Sequence, residues 1–139
     1  MIHRRFEVVA PHLNKGEIIR GDVRYAEGPA PRPAVIVVHG FKGYKDWGFF
    51  PHLCERLAIV GHAVVSFNFS GNGVGDDLDS FTELKRFAGN TYGRELEDLR
   101  WMADAVVGGE FLSPCPERVG LIGHSRGSGA AILHAWSDE

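Results

Sequence analysis

The chain has 139 residues, 44% of them hydrophobic and 24% charged, with a formal net charge of −3 and a pI near 6.1. Those values describe one globular domain, residues 1–139, with enough chain to bury a core. They exclude the strongly basic surface that nucleic acid or an anionic membrane would demand, and the 11 arginines and 4 lysines are scattered rather than gathered into an arm.

The opening residues are basic, but no apolar core of a signal peptide follows Phe6, and no apolar run reaches transmembrane length. Neither a leader nor a membrane span is expected. Cys54 and Cys115 share no metal-ligand or redox spacing. They read as small buried or half-buried residues of a reduced, cytoplasmic protein.

In chain order, Phe6–Val9 is a short strand and Ile18–Tyr25 a second, joined through a turn at Asn14-Lys15-Gly16. A proline-rich connector, Gly28 to Pro33, leads into Ala34-Val35-Ile36-Val37-Val38. A continuously apolar, β-branched run of this kind suits a parallel strand covered on both faces. Asp46 is placed to cap a helix from about Trp47 to Val60, stopped by Gly61, with Leu53, Leu57 and Val60 on its inner face.

Ala63–Phe69 is the next strand, followed by a glycine-rich loop. Ser80-x-x-Glu83 has the capping-box pattern for a short helix towards Phe87. From Thr91 to Val107, Tyr92, Leu96, Leu99, Ala103 and Val106 step by three and four, which predicts an amphipathic helix. Val119–Ile122 is a strand and Ala130–Trp136 a helix. Strands and helices alternate from Ala34 onward, so the fold class is α/β, a mainly parallel sheet with helices on both faces.

Chemistry concentrates at Gly123-His124-Ser125-Arg126-Gly127, a match to the Gly-x-Ser-x-Gly nucleophile elbow. A random chain of this composition holds such a pattern roughly one time in ten, so context has to carry it. The context fits, because the motif follows a predicted strand and opens a predicted helix. The serine of an elbow sits at unfavourable φ/ψ, and Gly123 and Gly127 remove side chains that would collide two residues either side of it. The second signal is His39-Gly40-Phe41, at the carboxyl end of the Ala34–Val38 strand, where open α/β sheets gather their ligands. Backbone N–H groups of Phe41 and of Arg126, the residue after the serine, are the two expected donors to an oxyanion.

With these motifs in this order, and with Asn68 to Gly75 as the loop between them, the chain resembles the N-terminal half of an α/β-hydrolase. The likeness runs from the early hairpin to the helix after the elbow, and leans towards the dienelactone-hydrolase and serine-peptidase-like branches. The middle loop departs from the family's Asp-x-Arg-Gly-x-Gly, with Asn68 and Ser70 at the charged positions, so its side chains receive no role.

The resemblance implies Ser125 as nucleophile towards a small-molecule ester, thioester or amide, with no metal and no organic cofactor. It implies a structural role for His39. It also implies a histidine and an acid that follow the nucleophile in chain order. Only 14 residues follow Ser125, and a complete domain of this fold needs about 200–250. The triad acid and histidine are therefore expected to be missing from this chain, which reads as truncated after the elbow helix.

Other histidines offer no base. His124 is expected to be aimed away from the hydroxyl, His134 lies more than two helical turns on, and His3, His12, His52 and His62 read as surface or packing residues. Gly71-x-Gly73-x-Gly75 has the wrong spacing for a dinucleotide loop and reads as a flexible loop; Asp76, Asp77 and Asp79 read as a solvated acidic turn. Trp47, Phe49 and Phe50 either line an acyl pocket or pack on the core. The elbow strand should be a sheet edge, open to self-association. The rival expectation is an inactive hydrolase-like module that binds a partner at that edge.

Overall fold

A computed structural model describes residues 1–137; Asp138 and Glu139, the last two residues of the expected domain, lie outside the described residues. Its elements are β1 Ile2–Val8, β2 Ile19–Tyr25, β3 Ala34–Val38, α1 Phe50–Ile59, β4 Ala63–Phe67, α2 Leu84–Ala88, α3 Tyr92–Val107, β5 Val119–Gly123 and α4 Arg126–Ser137. The strands form one sheet in the order β1-β2-β4-β3-β5. β1, β2 and β4 pair antiparallel, and β4, β3 and β5 pair parallel.

The apolar run of β3 is explained by its place between β4 and β5, where all five residues are buried. Its side chains alternate between two cores. Ile36 and Val38 join Leu99, Met102, Ala103 and Val106 of α3, whereas Val35 and Val37 join Phe50, Cys54 and Ala58 of α1. Helices thus cover both faces, as the alternation of elements predicts. No helix among the described residues is long and apolar enough to cross a membrane.

Several local expectations are corrected. β1 begins at Ile2, not Phe6, and pairs with β2 along its whole length. Its early residues are polar because an edge strand needs little apolar surface, so hydropathy hides them. α1 starts after Phe49 rather than Trp47, with no side-chain cap; the Asp46 carboxylate instead accepts from Lys45 Nζ at 2.6 Å. Its buried face is Phe50, Cys54 and Ala58, and Val60 is 65% exposed. The small residues let α1 lie close to the sheet, with Leu53 and Leu57 at the margin.

The Ser80 capping box does not form. α2 begins after Glu83, whose carboxylate pairs with Arg86 at 2.9 Å. In α3, by contrast, Thr91 caps the helix by accepting from the Arg94 N–H at 3.1 Å. Cys115 is exposed, against the expectation for both cysteines, while Cys54 is fully buried.

Candidate active site

The elbow joins β5 to α4 at the carboxyl end of the parallel strands. Ser125 has φ +54°, in the left-handed region that few side chains other than glycine enter. Backbone bonds hold it there: the N–H of His124 donates to Val38 O, that of Gly127 to His124 O and that of Ser128 to Ser125 O, each at 3.0 Å. The two flanking glycines are sterically required. A Cβ on Gly123 would stand 2.5 Å from Ser128 Cα, and one on Gly127 would stand 2.4 Å from the carbonyl oxygens of Val38 and His39.

Gly40 brings the second motif against the first. A Cβ there would lie 2.9 Å from His124 O, 3.1 Å from Ser125 Cβ and 3.6 Å from Arg126 N. The backbone just before Phe41 is therefore packed on the backbone just before Arg126. Among the described residues, no hydrogen bond engages the N–H of Phe41 or of Arg126, or the Ser125 hydroxyl. A cleft of about 320 Å³ opens over Ser125, with Phe41, Lys42, Trp47, Phe50 and His124 on its walls.

His39 is buried and fixed at both nitrogens. Nε2 accepts from the Phe69 N–H at 3.1 Å, which leaves Nδ1 to carry the proton and donate to Gly40 O at 2.8 Å. Burial lowers its pKa to about 4, partly opposed by the bond to Gly40. A neutral ring with both nitrogens occupied cannot serve Ser125 as a base. His124 packs on Phe49, Phe50 and Trp47, with ring centroids 5.3, 5.7 and 6.2 Å away. Of the three aromatics near the start of α1, Phe50 is a core residue that also lines the cleft, Trp47 lines the cleft but is 44% exposed, and Phe49 is exposed and does not line it.

The segment after β4 is not a flexible loop. Residues 68–75 are buried and bonded to the elements around them. Asn68 Oδ1 accepts from the Lys45 N–H at 2.7 Å, Asn72 Nδ2 donates to Gly43 O at 3.3 Å, and the Ser70 N–H donates to Asp98 Oδ2 at 2.7 Å. Asn68 and Asn72 thus hold the loop that carries Phe41, a role with no signal in the residue pattern. Of the acidic turn, Asp77 and Asp79 are exposed, and Asp76 accepts from Arg20 at 2.7 Å.

Buried charges missed in the sequence surround the site. His12 and His3 are paired with buried aspartates, Asp98 at 2.6 Å and Asp22 at 2.9 Å. Burial pushes the Asp98 carboxyl up, against the bonds from His12 and Ser70. The Arg126 guanidinium lies 3.7 Å from the Tyr92 ring centroid and pairs with buried Glu95 at 2.5 Å. Burial raises the Glu95 pKa, and Arg126 opposes that rise. Only the alternation of Glu95 and Asp98 with apolar residues on one face of α3 hinted that these carboxylates turn inward.

No protein-family model matches the chain. It is 30% identical over 115 residues to the 2,6-dihydropseudooxynicotine hydrolase of Paenarthrobacter nicotinovorans, a match covering 81% of this chain and 27% of that protein. Among solved structures it superposes on Est1E from Butyrivibrio proteoclasticus with ferulic acid bound, at TM-score 0.72 and 21% identity, covering 89% of this chain and 45% of that one. It also superposes on XC6422 from Xanthomonas campestris, an α/β serine hydrolase without a lid, at TM-score 0.70 and 21% identity, covering 97% and 56%. The chain thus spans about a quarter of the curated relative and about half of these structures. Its five-stranded sheet, the strand-to-helix turn at Ser125 and these likenesses together give it the α/β-hydrolase fold, over part of that fold's length.

Proposed function

We propose that the protein is a serine hydrolase that cleaves a carboxylic ester, thioester or amide of a small molecule through an acyl-enzyme at Ser125. Residues 1–139 form one partial catalytic domain in this reading, and the two free cysteines fit a cytoplasmic setting. The observation that supports it most is the +54° φ of Ser125 on a strand-to-helix turn, with Gly40 packed against it. A serine has no reason to hold that conformation for stability, and a nucleophile gains exposure from it.

In this mechanism Ser125 Oγ attacks the carbonyl carbon and its proton passes to a histidine base. The tetrahedral oxyanion is stabilised by the N–H groups of Phe41 and Arg126, and the protonated leaving group departs. Water then releases the acid from Ser125. No metal or organic cofactor enters these steps. This reading has the base, and the acid that orients it, supplied from outside residues 1–139; that no described side chain bonds the Ser125 hydroxyl supports it.

The test is labelling of the natural full-length protein with a fluorophosphonate probe. Labelling that disappears in Ser125→Ala is the expected result; an unlabelled natural protein sinks the reading. One observation favours a second role. β5 pairs with β3 alone among the described residues, and Ile122, Ile132, Leu133 and Trp136 beside it are exposed. A binding or self-associating module would use that edge, and would label no more than its Ser125→Ala variant.

A further inference from the structure

The loop from His39 to Asp46 carries the Phe41 N–H, yet hydrophobic burial does little to hold it. Phe41 is 58% exposed, Lys42 is exposed with φ +56°, and the close aromatic and cationic partners of the Phe41 ring are Phe87 at 5.8 Å, the Lys42 ammonium at 5.7 Å and the Arg126 guanidinium at 5.6 Å. What enters the interior instead is a charge. The Lys45 side chain is 1% exposed, and its ammonium lies 2.5 Å from Asp22 Oδ2 and 2.6 Å from Asp46 Oδ2.

Asp22 belongs to β2, paired to Ser66 of β4 in the middle of the sheet, and its other oxygen takes His3 Nε2 at 2.9 Å. Its pKa would be raised by burial, but the bonds from Lys45 and His3 hold it below the usual aspartate value. A buried ion pair gives little net stability compared with an apolar pair of the same volume. What it gives is direction, because short charged hydrogen bonds fix atoms in place where apolar packing tolerates sliding.

We propose that Lys45 is a positioning residue: the clamp of its ammonium between Asp22 and Asp46 ties the oxyanion loop to the sheet and sets where the Phe41 N–H points. Lys45 touches neither nucleophile nor substrate, and acts through the chain between residues 41 and 45 together with the bond from its own N–H to Asn68. The inference rests on the serine-hydrolase reading for its catalytic consequence, but not for its structural one.

Lys45→Met alone strands a buried carboxylate and is expected to be poorly folded. The informative variant is the charge-free pair Asp22→Asn/Lys45→Met, which keeps the volume and removes the clamp. Its thermal midpoint should recover most of what Lys45→Met loses. Its amide exchange at Gly40–Gly43 should still run at least about tenfold faster than in the native protein. Fluorophosphonate labelling of Ser125 should slow at least about tenfold, approaching the 10²–10³ scale for loss of a whole oxyanion donor, with kcat reduced and KM little changed. A folded double variant with native exchange and native labelling overturns the proposal. If the native protein does not label at all, the hydrolase reading falls, and the exchange rates alone decide whether Lys45 anchors the loop.

Discussion

His39 couples acid stability to the integrity of the loop that follows β3. Its folded pKa is about 4, because burial disfavours the imidazolium, against an ordinary value of 6.5 in the unfolded chain. A folded pKa below the unfolded one means that the unfolded state binds more protons between those values. The stability His39 contributes is therefore present above pH 6.5 and is lost as the pH falls towards 4. At about 1.36 kcal/mol per pH unit, the full loss is about 3 kcal/mol, and by pH 5 it has reached about 2 kcal/mol. Urea unfolding at pH 8 and pH 5 reads this directly. His39→Gln is the control, since it can still accept from the Phe69 N–H but does not titrate. The native protein should lose about 2 kcal/mol more than His39→Gln over this interval. Equal losses in both proteins would refute the assignment of a buried neutral ring.

Three further outcomes are expected. Gly127→Ala places a methyl 2.4 Å from two backbone carbonyl oxygens, so its thermal unfolding should show a loss of about 2–3 kcal/mol or no folded protein. Trp47→Ala removes a wall of the cleft over Ser125; with aryl ester substrates KM should rise several-fold with kcat nearly constant, as for binding shared by ground and transition states. Glu95→Gln leaves the Arg126 guanidinium uncompensated beside the cleft, so the preference for anionic over neutral acyl groups, measured as a kcat/KM ratio, should rise about fivefold, the equivalent of about 1 kcal/mol.

The motifs that define the site were legible in the sequence because each is a steric necessity written in residue type. Glycines at 123, 127 and 40 stand where the structure leaves no room for a Cβ, so the turn could be read from composition and order alone. The β3 run and the Leu99, Ala103 and Val106 part of the inner face of α3 were legible for the same reason, as periodic burial leaves periodic hydrophobicity, whereas Tyr92, expected on that face, is 70% exposed and Met102 is buried there instead. The polar interior was not. Lys45, Asp22, Asp98, Glu95, Asn68 and Asn72 are buried, but each looks in sequence like any surface residue, since what brings it inside is a partner 20 or more positions away. The 68–75 segment illustrates the cost: its glycines suggest mobility, whereas Gly71 and Gly75 give close approach to Asn90 and Glu83. The α1 face was misread because Cys54 and Ala58 are small and draw less notice than Leu53, Leu57 and Val60, yet fit where larger side chains would not.

In the proposed serine-hydrolase reading, the described residues provide the oxyanion side of the chemistry and no assembled base. The proposed oxyanion donors are backbone groups on a turn held by hydrogen bonds of 3.0 Å and close glycine contacts, so in this reading they need no rearrangement to act. On the base side, each histidine has another employment or the wrong address. His39 is bonded at both nitrogens, His3 and His12 are paired with aspartates, His124 is packed among aromatics, His134 is buried well along α4, His52 is exposed within α1 and His62 follows that helix. A serine without its base retains only what an oxyanion hole and binding can give, about 10³–10⁴ over water. Residues 1–139 alone should therefore hydrolyse an activated aryl ester at about that enhancement and no faster. Turnover at rates of 1–10³ s⁻¹ by the purified monomer would mean that a base lies within these residues after all, and His124, the one histidine on the wall of the cleft, would be the first to replace.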